Sequence, residues 1–174
     1  IAMAAKKSGL SEEVFEKADE KAGNSLLYSM VMGNYIFGSR ITGINDMPIN
    51  DKLFILQSDI IKSAADKGPC VIIGRGGDYI LREDDNVFRV FIHANKEARI
   101  KRILSKGLCD EKKVSDFITK RDKQRANYYN FYSNKRWDDL SNYHLTIDSS
   151  AFDIDEVAEI IITAIGKIKP PAKK

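Results

Sequence analysis

From residue 70 onward, short apolar runs alternate with helical segments, and this alternation narrows the fold more than any other feature. The runs are "CVII" at 70–73, "VFRVFI" at 87–92 and "YHLTID" at 143–148. Each is short and bounded by turn or cap residues, so each reads as a buried strand. Asn95 caps a helix that carries Ile100, Ile103 and Leu104 and ends at Gly107. Asp110 opens a long polar helix that runs through about Tyr132. Asp153, with Glu156 three residues on, starts a last helix with the apolar body "IIITAI". Ahead of the first strand, Asn50 caps an amphipathic helix with Leu53, Leu56, Ile60 and Ala64 at helical spacing, closed by "KGP" at 67–69. Strands joined by helices pair in parallel and are covered on both faces, so the expectation is an α/β fold around a parallel sheet.

The first part of the chain is less regular. Ser11 caps a helix that opens with Glu12 and Glu13 and runs to about Ala22. Residues 23–49 mix apolar runs with Gly, Asn and Pro and read as a short helix plus a mobile segment. The opening "IAMAAKKSGL" reads as the middle of a helix, with neither a start methionine nor a cap, so residues are expected before Ile1. A length of 174 residues fits one domain. A net charge of +3 is too small to imply nucleic-acid binding by itself. No apolar run approaches the ~20 residues that would cross a membrane, and no signal-peptide pattern is visible. Cys70 and Cys109 stand in no metal or redox spacing and read as free thiols of a cytoplasmic protein.

The first strand runs into Gly74-Arg75-Gly76-Gly77. A Walker A loop needs G-x-x-x-x-G-K-[ST], which is absent here. A dinucleotide fingerprint needs G-x-G-x-x-G, and Tyr79 occupies the place of the third glycine. What remains is an arginine on a tight turn at the carboxyl end of a parallel strand, the edge where open α/β sheets bind ligands. Arg75 there is either a fork for phosphate oxygens or the partner of a neighbouring carboxylate.

Residues 96–136 hold thirteen Lys/Arg against five Asp/Glu, a local excess that the total hides. Within "ITKRDKQRANYYNFYSNKRW" at 118–137, Arg121 and Arg125 lie one helical turn apart, with Asp122 near their face. The pair suits a ligand with several phosphates; the plainer reading is a solvated basic face. Tyr128, Tyr129, Phe131 and Tyr132 follow, as packing or as a surface on which bases stack. His93 and His144 sit in or beside strands without ligand spacing, so no metal site is read from them. Trp137 reads as a loop anchor.

Together, "CVIIGRGGDYIL", "DNVFRVFIHANKEARIKRI", "RDKQRANYY" and "NYHLTIDSS" with a final apolar helix resemble the cytidylate-kinase-like branch of the nucleoside monophosphate kinases. The likeness runs from about Ser11 to Ile165. It implies a three-layer parallel sheet of five strands with a P-loop after its first strand, within one kinase-like domain over 1–174. It also implies a monophosphate-binding region over 23–49 and a helical lid over 108–137. The implied reaction moves the γ-phosphoryl group of ATP, with Mg²⁺, to a nucleoside monophosphate. By position, Arg75 matches the arginine of the family's G-R motif, which grips the acceptor phosphate. Arg121, Asp122 and Arg125 match the R-D-x-x-R of the lid helix, where the arginines close on phosphates and the acid helps place the acceptor. Arg102 is the candidate on the ATP side.

Two departures stand out. The turn of cytidylate kinases proper reads G-R-D, whereas here Gly76 follows Arg75 and the nearest acid is Asp78. The family's P-loop is not among these residues and is expected upstream of Ile1. Two other readings compete with the kinase: a catalytically silent nucleotide-binding protein, and a module that binds single-stranded nucleic acid through the basic, tyrosine-rich helix.

Overall fold

The computed structural model describes residues 49–168. The helix expected from Ser11, and the segment expected over 23–49 up to its last residue, lie outside these. The described residues fall into two compact units, one formed by 49–80 with 126–134 and the other by 81–125 with 135–168.

The first unit opens with α1, Ile49–Asp66. The helix already includes Asn50, so Asn50 is a first-turn residue and not the cap that its side chain suggested. Asp51 supplies the first-turn acid that suits the positive helix end. The buried line is Leu53, Gln57 and Ile61, at steps of four. Leu56, Ile60 and Ala64, the expected apolar face, flank this line and are half-buried. Apolar residues alone marked the stripe in the sequence, so the polar Gln57 at its centre was passed over.

Residues 70–73 form no ladder among the described residues, in contrast with the strand read there. Val71 and Ile73 are 91% and 89% exposed, while Ile72 between them is half-buried. A strand exists only through its pairing, and none involves this run among the described residues. The chain then turns into α2, the single turn Gly77–Ile80. Gly77 suits this position, because a Cβ would lie 2.8 Å from Ile72 Cγ2 and that side chain would have to shift.

The second unit holds the sheet. β1 (Val90–His93) and β2 (Leu145–Asp148) pair in parallel, with Val90 opposite Leu145 and His93 opposite Asp148. Ile147 is buried. β1 begins three residues later than the apolar run that announced it. The parallel pairing expected of two α/β strands is present, and the described residues form a mixed α/β structure with a two-stranded parallel sheet. Between the strands, α3 (Lys96–Ser105) starts where Asn95 accepts a hydrogen bond from the Ala98 amide. It closes at Gly107, with φ of +62°, where the Gly107 amide donates to the Leu104 carbonyl and the Leu108 amide to that of Ile103. Asp110 does not cap an α-helix. It precedes a 3₁₀ turn, Glu111–Lys113, and makes no side-chain cap bond. The α-helix proper, α4, runs over Val114–Ser133. Its first half, with buried Val114 and Ile118, belongs to the second unit, and the residues from Ala126 on belong to the first.

Trp137 meets the Phe91 ring edge-on at 5.5 Å, and the Tyr143 hydroxyl donates to the Trp137 carbonyl at 3.0 Å. Trp137 thus anchors the segment leading to β2, as read from the sequence. The last helix, α5 (Ile154–Ile165), carries the full capping box. The Asp153 carboxylate accepts from the Glu156 amide and the Glu156 carboxylate from the Asp153 amide.

Candidate active site

In the first unit the candidate site is the turn that carries Arg75. Gly74, Arg75 and Gly76 have φ of +71°, +59° and +65°. The Gly77 amide donates to the Gly74 carbonyl at 3.1 Å and closes a four-residue turn. Positive φ at both central positions is the signature of a type I′ turn, which glycine adopts freely. Arg75 is the non-glycine residue in this run and stands in a region that costs an L-residue about 1–2 kcal/mol. The Gly76 carbonyl accepts from the amides of Tyr79 and Ile80 at 3.0 and 2.8 Å, which leads the turn directly into α2.

The Arg75 side chain is half-buried. Burial lowers its pKa, and the nearby Tyr128 oxygen acts in the opposite sense. Burial pushes the Tyr128 phenol up to about 12, against the pull of Arg75, so Tyr128 is neutral at any working pH. Its hydroxyl donates to Gln57 Oε1 at 3.1 Å. The Tyr129 hydroxyl donates to Asp78 Oδ2 at 2.7 Å, and the Tyr132 hydroxyl reaches Asp51 at 3.3 Å. The Tyr132 ring stacks on Phe54 at 4.0 Å, nearly parallel. Three tyrosines of α4 thus bind polar groups of α1 and α2 within this unit. Their rings are packed and their hydroxyls engaged, whereas Phe131 is exposed. A platform for stacking bases needs open ring faces.

In the second unit, α4 bears Arg121, Asp122 and Arg125, and α3 bears Arg102. Arg121 lies over the Phe117 ring, 5.4 Å from its centroid, a cation–π contact one turn away. Arg125 and Arg102 are exposed. Asp122 is in a two-pronged ion pair: Arg99 Nη1 donates to Oδ2 at 2.7 Å and Nη2 to Oδ1 at 2.6 Å. This hydrogen bond raises the Arg99 pKa, with burial acting against it. Arg75 and Asp78 belong to one unit, and Arg102, Arg121, Asp122 and Arg125 to the other.

Sequence reasoning had not singled out Gln57, Arg99 or the role of Tyr128. Gln57 was discoverable from its place in line with Leu53 and Ile61. Arg99 and Asp122 are 23 residues apart on different helices, and no local spacing joins them.

The model of the cytidylate kinase-like family matches residues 1–151. A cytidylate kinase of Methanosarcina barkeri (strain Fusaro / DSM 804) is 31% identical over 106 residues, which are 58% of this chain and 57% of that protein. The chain therefore spans a little over half the length of this relative. The crystal structure of an uncharacterized protein from Eubacterium ventriosum ATCC 27560 superposes with a TM-score of 0.64 at 30% identity, over 69% of this chain and 76% of that one.

Proposed function

The chain belongs to the cytidylate kinase-like family, and on that premise we propose that it transfers the γ-phosphoryl group of ATP, carried with Mg²⁺, to a nucleoside monophosphate of the CMP or dCMP kind. The observation that carries this reading is Arg75. A half-buried guanidinium on a left-handed turn between two glycines is held in place at a conformational cost. Such strain is a pointer to function, and a desolvated arginine fork suits the two oxygens of a phosphate. In this reading Arg75 grips the acceptor phosphate.

Arg121 and Arg125, one turn apart on α4, supply charge to the transferring phosphates. The resemblance would have Asp122 help to place the acceptor, and Arg102 serves the ATP side. Phosphoryl transfer is mostly positioning plus neutralisation of charge, so arginines are the side chains it needs. The acid of the G-R-D pattern is absent after Arg75, and Asp78 already accepts from Tyr129. The identity of the acceptor base is therefore a question for assay.

The test is ADP release by the full-length protein with each nucleoside monophosphate in turn. CMP or dCMP is expected to give the highest kcat/KM, and Arg125→Ala to lower it at least tenfold with a nearly unchanged melting temperature. Absence of turnover with every acceptor would favour the silent nucleotide-binding reading.

A further inference from the structure

Asp122 occupies an unusual position on α4. It continues the line of Val114 and Ile118 at steps of four, and both of these are buried. An acid in line with core residues loses part of its hydration and needs a partner. Arg99 of α3 supplies one, with both guanidinium prongs on both carboxylate oxygens at 2.7 and 2.6 Å, and each side chain is 31% exposed. A two-pronged pair fixes direction as well as distance.

Residues of an α-helix are about 100° apart around its axis. Arg121 therefore projects about 100° to one side of Asp122, and Arg125 about 60° to the same side. Holding Asp122 to α3 sets the rotation of α4 about its axis, and with it the directions of both arginines. The carboxylate has its two oxygens committed to Arg99, so its geometry is that of a strut.

We infer that Asp122 acts through Arg99 and not on the acceptor itself: the pair is a positioning device that aims Arg121 and Arg125. The inference rests on the kinase reading, and it makes Arg99 a positioning residue for the transfer.

The test is a double-substitution cycle with Arg99→Gln, Asp122→Asn and the pair of both, on the full-length protein. Each single change should lower kcat roughly tenfold while the KM for the acceptor moves less than about twofold, because aim is lost and not a contact. The double variant should be no slower than the worse single, since the two residues work as one unit. The reversed pair, Arg99→Asp with Asp122→Arg, should recover part of the rate. An acceptor KM raised by Asp122→Asn alone, with Arg99→Gln unaffected, would overturn the inference, as would costs that multiply. Urea unfolding of the same set without nucleotide gives a second, activity-independent reading. The two substitutions should be coupled there, and purely additive effects refute the strut even if no acceptor is turned over. Loss of the kinase reading would show instead as an inactive wild type with the coupling intact.

Discussion

Replacing Arg75 separates its backbone from its charge. The substitutions Arg75→Ala and Arg75→Gly both remove the guanidinium, so whatever the side chain contributes to folding is lost equally. They differ in the backbone. At φ of +59° alanine keeps the left-handed strain, about 1–2 kcal/mol, which glycine escapes. Glycine gives back roughly 0.5–1 kcal/mol through the larger freedom of its unfolded chain. The balance favours glycine by roughly 0.5–1 kcal/mol, or about 1–4 °C in melting temperature for a chain of this size. Function should move the other way for both. Losing a desolvated arginine that holds a phosphate is worth about 2–5 kcal/mol, hence a fall of roughly thirtyfold or more in kcat/KM for the acceptor. The KM for ATP should stay within about twofold. Calorimetry or dye melting gives the first quantity and coupled ADP release the second. The strain argument fails if the glycine variant melts below the alanine variant. The site argument fails if either variant keeps activity within about threefold of wild type.

Two further predictions concern packing and pH. Gly77→Ala places a Cβ 2.8 Å from Ile72 Cγ2 and should destabilise by about 1–3 kcal/mol; adding Ile72→Ala should restore part of the loss, and a wild-type melting temperature for Gly77→Ala would contradict the close approach. Burial, and secondarily the Arg89 guanidinium, lower the pKa of His144 from 6.5. The neutral ring is thus favoured in the fold, so its contribution to stability is complete above that pH and fades as pH falls, because the unfolded chain takes up the proton first. The melting temperature should drop more steeply between about pH 7 and pH 5 in wild type than in His144→Gln, and parallel curves would count against a lowered His144 pKa.

What could be read from the sequence sorts by the range of the interaction. The caps at Asn95 and Asp153 were legible because a cap joins residues three apart, and its chemistry lies in the residue types themselves. The turn at Gly74–Gly77 was legible for the same reason: glycines on both sides of an arginine announce a backbone that only glycine adopts readily. Asp110 misled because an acid before a helical pattern is a good cap in type, yet three residues of 3₁₀ turn intervene before Val114. The run at 70–73 misled differently. Its composition is that of a strand, but a ladder depends on a neighbour, and no residue in the run encodes one.

The tyrosines of α4 mark the boundary between the two kinds of information. Their helical spacing admits both packing, the commoner case, and base stacking, because both place rings at those positions. What decides between them is where the hydroxyls end: on Gln57, 71 residues back, on Asp78, 51 back, and on Asp51, 81 back. Tyr129 is buried, and the Tyr132 ring lies with one face against Phe54, so both pack within the unit. Packing thus accounts for these tyrosines, while the exposed Phe131 and the basic residues of the helix keep a surface open to solvent. Basic charge on the helix suits phosphates, the chemistry that the kinase reading gives to Arg75, Arg121 and Arg125.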